Sequence, residues 1–373
     1  MNRLAWLVRR APSALLALVC ASAGAQAAPL PPLFPIRLGD LHGLIDLDGR
    51  EVLAAEYTEV RIGAPLVMVR KGYRTAYADA TGRFVIEPQD ELSQPFADGL
   101  VPMRGKDAQG KLRWGYVDAQ RQWVIAPAFD DAGGFADGLA VVGLADAWGT
   151  MKFGAIDKRG KLVLPATHDK LLPPGGGLVR AESKERRHRV FDAQGRDVTP
   201  PGIDFVGIAS DGMVRVWAGR LQGFMSTTGQ LVVPPVFQQA SDFKEGFARV
   251  WIDGKYGYID KRGTQVIAPR YETAEDFSDG LALVKLNGQA MFVDGAGRPV
   301  LQPEAERVWP FSQGLAPIKV GGKHGYIDKR GKLVIEPQFS FARPFNNGLA
   351  YVGQGRMSGY IRPDGKFVWQ TDR

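Results

Sequence analysis

Gly257-Tyr258-Ile259-Asp260-Lys261-Arg262-Gly263 recurs 68 residues downstream as Gly325-Tyr326-Ile327-Asp328-Lys329-Arg330-Gly331, and Asp294 with Gly297 stands halfway between. With the aspartate as anchor, the series is Asp46, Asp79, Asp118, Asp157, Asp192, Ser226, Asp260, Asp294, Asp328 and Arg362. Its spacings are 33, 39, 39 and 35, then 34 five times. A fixed period of this length marks a tandem array in which one supersecondary unit is copied. Three residues after the anchor comes glycine in every unit but one, where Arg121 stands, and six after it comes valine in all ten, from Val52 to Val368.

A second block, Phe-x-x-Gly-Leu-Ala, follows each hairpin, as in Phe135 to Ala140, Phe277 to Ala282, Phe311 to Ala316 and Phe345 to Ala350. Gly177-Leu178 and Gly212-Met213 are worn copies without the phenylalanine. Asp-x-x-Gly between alternating apolar runs is a turn: the carboxylate bonds amides ahead of it, and glycine takes positive φ. Tyr-Ile before the turn and Val-Ile after it read as strands, and Gly-Leu-Ala-x-Val supplies a third. Proline recurs at Pro88, Pro127, Pro201, Pro235, Pro269, Pro303 and Pro337, where it is expected to end the second strand. The two 39-residue units place their extra length near Lys106 to Lys111 and Leu144 to Thr150, at hairpin tips.

A unit of this size cannot bury enough apolar surface alone, so neighbours must stack. The fold is therefore expected to be all-β, ten tandem repeats of about 34 residues and three strands each. An open curved array is favoured, because closed propellers usually have four to eight four-stranded blades. The alternative is a closed propeller-like ring in which the N-terminal segment completes a unit with the final hairpin.

The Trp114-Gly115-Tyr116-Val117-Asp118 run, its Tyr256-Gly257 and His324-Gly325 variants and the Phe-x-x-Gly-Leu-Ala block resemble the WG-repeat (KWG-repeat) family. The resemblance covers the array, although only one copy keeps the naming tryptophan. It implies a bacterial β-rich repeat protein, often exported, and transfers no catalytic residues.

Composition agrees with a folded, turn-rich chain: 46 Gly and 25 Pro in 373 residues stay below the low-complexity range. Residues 1–27 read as a signal peptide, with Arg3, Arg9 and Arg10 ahead of an apolar run from Ala14 to Val19 and small residues through Ala28. The run is too short to anchor in a bilayer. Val19 before Cys20 argues against a lipoprotein, and Ala11-Pro12-Ser13 against twin-arginine export. Residues 28–373 are then the ten-unit array. Its 44 Lys and Arg against 40 acids give a formal +4, no signature of specific nucleic-acid binding. Cys20 is the single cysteine, so the array has neither disulfide nor thiol chemistry.

Catalytic and metal motifs are not in evidence. His42, His168, His188 and His324 show no ligand spacing, no Gly-x-Ser-x-Gly elbow occurs, and Gly175-Gly176-Gly177 precedes a strand rather than a helix. Neither cofactor nor metal is expected. The Lys-Arg pairs at Lys158-Arg159, Lys261-Arg262 and Lys329-Arg330 read as solvated turn tips. What remains is a face. Arg180, Arg215, Arg249, Trp217, Trp251, Lys285 and Lys319 alternate with apolar residues in the third strand, and period two places them opposite the apolar members. Such a ladder can pair carboxylates, stack on sugars, or simply cover the sheet. The expectation is a monomeric, non-catalytic periplasmic or secreted scaffold for a protein partner of the cell envelope. A binder of glycans or anionic envelope polymer is second, and a hydrolase third.

Overall fold

A computed structural model describes residues 30–89 and 94–372. The signal peptide expected over 1–27 lies outside them. The described chain is all-β and forms ten small antiparallel sheets arranged as a ten-bladed propeller. Blades are numbered here in chain order, spanning residues 34–57, 59–89, 101–129, 131–168, 171–191, 205–237, 239–271, 273–301, 307–339 and 341–372.

Blade 7 shows the pattern: Gln239–Ala240, Phe247–Ile252, Lys255–Asp260 and Gln265–Tyr271 form an antiparallel meander. The Gly-Leu-Ala strand belongs with the hairpin that follows it, since Phe247 pairs with Asp260 and Ile252 with Lys255. Seven of the ten sheets have four strands rather than the expected three. The additional strand is commonly two residues long, too short for an alternating pattern to announce it.

In most blades proline does not end its strand, although Pro299–Leu301 stops short of Pro303. Pro127, Pro235, Pro269 and Pro337 each lie inside the last strand of a blade. The pairing shifts register there, Tyr256 facing Tyr271 while Tyr258 faces Ile267. A bulge on an edge strand needs no ladder amide from proline, which is how the residue is accommodated. The bulged backbone also crosses the glycine that precedes the tyrosine: a Cβ on Gly257 would lie 2.5 Å from Ile267 O and 2.8 Å from Pro269 N. Glycine and proline columns are thus two halves of one contact.

Each Asp-x-x-Gly turn is closed by its own carboxylate. Asp260 Oδ1 accepts from the amides of Arg262 and Thr264 at 2.9 and 2.8 Å. The Phe-x-x-Gly block makes a second tight turn. Asp279 and Gly280, with φ of 56° and 78°, form a two-residue loop between Ser278 and Leu281, the twist a right-handed hairpin prefers.

The core lies between blades. Phe224, Val233 and Phe237 of blade 6 pack with Phe243, Ala248, Val250 and Ile259 of the blade 7 unit. The aromatic columns meet there as well: Tyr77–Phe96, Tyr116–Phe135, Tyr258–Phe277 and Tyr326–Phe345 have ring centroids 4.8–5.0 Å apart. The tyrosine hydroxyls then donate across to the next blade's backbone, Tyr258 to Glu275 O at 2.6 Å and Tyr116 to Gly133 O at 2.8 Å.

The ring, the alternative to the open stack, is the arrangement observed. Phe34, Ile36 and Ile45 of blade 1 cluster with Leu349, Tyr360, Val368 and Trp369 of blade 10. Tyr360 hydroxyl donates to Pro35 O at 2.7 Å, and Arg362 pairs with Asp48 at 2.6 Å. Among the described residues no strand is exchanged: Phe34–Leu38 pairs with Leu41–Ile45 in its own blade, so side-chain packing and these polar contacts close the circle without a shared sheet.

Candidate functional site

The alternation in the Gly-Leu-Ala strands places Arg215 and Trp217 on one face and buried Val214 and Val216 on the other. In a ring both faces of a blade meet a neighbour, and the three arginines reach across. Arg180 donates to Val206 O at 3.2 Å, Arg215 to Ala240 O and Arg249 to Ala274 O, each on the following blade or the segment leading into it. Burial pushes the Arg180 guanidinium down from its ordinary value. Arg215 also lies 3.1 Å from Asp242 and sits over the Trp217 ring, 4.8 Å from its centroid.

Trp217 and Trp251 are half-buried and occupy the same column of blades 6 and 7. Among the described residues their rings do not contact each other. Trp217 meets Phe205 edge-on at 5.2 Å, whereas Trp251 meets Tyr256 at 4.6 Å. Lys285 is exposed, and Lys319 stands 3.5 Å from Glu306. The seven residues thus divide into three inter-blade clasps, two separate aromatic clusters and two lysines on later blades.

Blade 5 departs from the pattern. Its strands are Leu171–Gly175, Leu178–Glu182 and His188–Phe191, and the fourth is reduced to a single bridge between Phe191 and Asp197. The sequence signal is the stretch after Gly195, where Thr199-Pro200-Pro201-Gly202 replaces an alternating run. In that place lies an open cleft of about 670 Å³, lined by Ser183, Arg187, His188, Arg189, Asp197 and Thr199 with a floor of Pro200, Pro201 and Ile203.

His188 joins this cleft to the aromatic cluster. Its ring is 3% exposed, stacks on Phe205 at 4.0 Å, and accepts the Val206 amide at Nδ1 from 3.2 Å. Burial holds its pKa below the ordinary imidazole value. The same Nδ1 stands 3.1 Å from Val206 O, so the Val206 peptide can serve either tautomer of the ring. His188, Phe205, Trp217 and Arg215 form one row across the seam of blades 5 and 6, and Phe205 is 43% exposed. A row of rings and a guanidinium, partly open to solvent, suits a partner that offers apolar area and acidic groups.

Among the described residues no three His, Cys, Asp or Glu side chains are grouped to hold a metal. Nor is any helix there long and apolar enough to cross a membrane.

Five stretches, residues 114–148, 223–256, 256–289, 291–323 and 325–356, match the family described as WG containing repeat. No curated protein matches the chain. Among solved structures it is similar to Kluyveromyces lactis Hsv2 (9% identity, 50% of this chain and 70% of that one, TM-score 0.31). It is also similar to the extracellular domain of a hybrid two-component system of B. thetaiotaomicron (10%, 91% and 66%, 0.29). PorZ, a surface component of the type-IX secretion system of Porphyromonas gingivalis, is a third (11%, 85% and 52%, 0.28). Scores this low leave the ring's own contacts as the evidence for its architecture.

Proposed function

We propose that this chain, a WG-repeat protein by those five matches, is a non-catalytic binding scaffold that docks a protein partner over the seam of blades 5 to 7. The observation that carries the reading is the row His188–Phe205–Trp217–Arg215. The copied side chains are engaged in closing turns and joining blades, whereas Phe205, in the column that holds Gln239, Thr273 and Arg307 in the next three blades, keeps 43% of its surface in solvent. Aromatic and arginine side chains clustered in this way are the usual anchors of protein interfaces. Stacking a sugar needs a free indole face, and Arg215 already covers one face of Trp217 at 4.8 Å, which favours a protein over a glycan. The leader pattern of residues 1–27 supports a periplasmic or secreted location.

Residues 28–373, immobilised and exposed to envelope extract, should retain one protein at a stoichiometric ratio. The double variant Phe205→Ala, Trp217→Ala should lose it while keeping the wild-type circular dichroism. Retention of glycan in place of protein, or capture indifferent to that double variant, sinks the reading.

A further inference from the structure

Tyr73 and Trp148 are the most exposed large apolar side chains among the described residues, 85% and 92% open to solvent. Each sits at the tip of the hairpin that precedes an Asp-x-x-Gly turn. Gly72-Tyr73 is the two-residue loop between Lys71 and Arg74, and Trp148 stands in the loop between Ala145 and Met151. Neither ring is packed against another among the described residues, so the needs of the ring-shaped fold explain neither. The ten tips share one side of the propeller. The Asp-x-x-Gly turns, at the far end of each hairpin, meet the preceding blade by a repeated contact, Gly82 against Val52 and Gly229 against Val198. That contact puts the turns on one side, and the antiparallel hairpins then point their tips to the other.

Trp148 reaches farthest. Its hairpin strands, Leu139–Ala145 and Met151–Asp157, have seven residues, where those of the other blades have four to six. Asp146 Oδ1 closes the longer loop by accepting the Trp148 and Thr150 amides at 2.9 and 2.8 Å, so the indole is held out on a formed turn. Leu38 and Leu41 of blade 1, Leu112 of blade 3, Leu221 of blade 6 and Val320 of blade 9 are exposed at the same level. The apolar points are thus spread around the ring instead of gathered in one patch, a pattern that meets a flat partner. Cations stand between them. Lys106, Arg220, Lys255, Lys323 and Arg356, at the tips of blades 3, 6, 7, 9 and 10, make no ion pair among the described residues. The acids of the blade corners lie lower and are engaged. Asp204 and Glu272 accept the tip amides of Gly219 and Gly288 at 2.8 and 3.2 Å, from backbone level with Trp217 and Lys285. That is two strand residues below the tip, about 7 Å. At the tips themselves Asp40 pairs with Arg37 at 2.8 Å, Asp107 and Asp146 close their own turns, and Asp253 is outnumbered.

Indole and phenol rings settle at the boundary between lipid headgroups and acyl chains, and lysine and arginine are drawn to anionic headgroups. We infer that this side of the ring rests on an anionic phospholipid bilayer, with Trp148 and Tyr73 entering the headgroup layer and the tip cations meeting lipid phosphates. Tyr73 and Trp148 belong to blades 2 and 4, so the inference stands apart from the protein partner assigned to the seam of blades 5 to 7.

The test is co-sedimentation of residues 28–373 with vesicles of phosphatidylcholine alone and with about 30% phosphatidylglycerol, at low and moderate salt. Wild type should partition onto the anionic vesicles at least tenfold more strongly than onto the neutral ones, with the difference shrinking as salt rises. The double variant Tyr73→Ser, Trp148→Ser changes two exposed side chains, so it should keep the wild-type thermal midpoint and lose at least tenfold in partitioning. The triple variant Arg220→Glu, Lys255→Glu, Lys323→Glu should lose the preference for phosphatidylglycerol. Lipids brominated near the headgroup should quench tryptophan fluorescence in wild type and not in Trp148→Phe. Equal partitioning onto the two vesicles overturns the assignment, as does wild-type partitioning by the double variant or quenching that persists in Trp148→Phe. Should the double variant lose an envelope protein that wild type captures, while neither binds vesicles, the tips serve a protein and the bilayer assignment fails.

Discussion

Gly49 in the first blade lies against the carbonyl oxygen of Val368 in the last, so close that a Cβ on it would stand 2.1 Å from that oxygen. Gly82 meets Val52 O in the same way at 1.9 Å, and Gly195 meets Val163 O at 1.9 Å. The seam between residues more than three hundred apart in sequence thus repeats the contact made between consecutive blades. Closure is therefore one more copy of the ordinary blade interface rather than a special latch.

Gly49→Ala should accordingly behave like an interior blade mutation. The methyl group has no room beside Val368 O, and the backbone there, at φ +80°, is already unfavourable to a side chain. Gly39, at φ +61° with nothing within 4 Å of a built Cβ, isolates the conformational part alone. Gly39→Ala should cost about 1–2 kcal/mol, and Gly49→Ala distinctly more, with hydrogen-exchange protection lost in blades 1 and 10 together. Protection lost in blade 1 only would mean an open stack.

Much of this was legible before any coordinates. Asp260, Gly263 and Val266 announce a hairpin because turn chemistry is local, and ten copies announce the stack because a single unit cannot bury Phe243 or Tyr258 by itself. Closure was not legible. It depends on small rotations summed over ten blades, and the pairs that decide it, Gly49 with Val368 and Tyr360 with Pro35, look in sequence like their neighbours. The site was legible in position but not in role. Period two tells which side chains share a face with Arg215; it does not tell that a neighbouring blade covers that face. The blade 5 cleft stands where a strand is missing, and its mark in the sequence, Thr199-Pro200-Pro201-Gly202 in place of an alternating run, signals a broken pattern without saying what the gap would hold.

The arginine clasps and the outer lysines should separate on substitution. Arg249 supplies Ala274 O, a carbonyl on a residue 5% exposed, and packs over Tyr256 at 5.4 Å. Arg249→Met keeps the packing and leaves the carbonyl unpaired, so a loss of about 1–3 kcal/mol is expected in urea denaturation. Lys285→Ala removes an exposed side chain and should stay within about 0.5 kcal/mol of wild type. A stable Arg249→Met protein would return Arg249 to the list of free binding groups.

Side chains just before the glycine of the second turn fasten each blade to the next. Asp211 Oδ2 accepts the Gly246 amide at 2.7 Å, Glu245 accepts Asp279 and Gly280 at 2.8 Å each, and Gln313 accepts Gly348 at 2.9 Å. Those fastener residues also take positive φ, 50° at Asp211 and 49° at Glu245. Asp211→Asn preserves an acceptor and a tolerance for that backbone, so its cost should be a few tenths of a kcal/mol. Asp211→Ala loses both and should cost about 1–3 kcal/mol in the same titration. Equal effects of the two changes would show that the inter-blade bond contributes nothing.

Alkaline pH should loosen the ring through its tyrosines. Burial raises the phenols of Tyr116, Tyr258 and Tyr326 well above their ordinary value, and burial pushes Tyr360 up to about 12. Each folded-state pKa lies above the unfolded one, so the folded protein holds these protons longer. The stability linked to them is then complete below about pH 10, where the free phenol titrates, and falls as pH climbs toward the folded values. Because the same hydroxyls donate to the next blade, as Tyr326 does to Arg343 O at 2.7 Å, ionisation also removes the bond. Thermal midpoints measured from pH 8 to 11 should decline only above about pH 10. Tyr360→Phe should flatten part of that decline, because its phenol no longer titrates at the seam with Pro35. A midpoint independent of pH across this range would mean that the inter-blade tyrosines ionise without disturbing the blades.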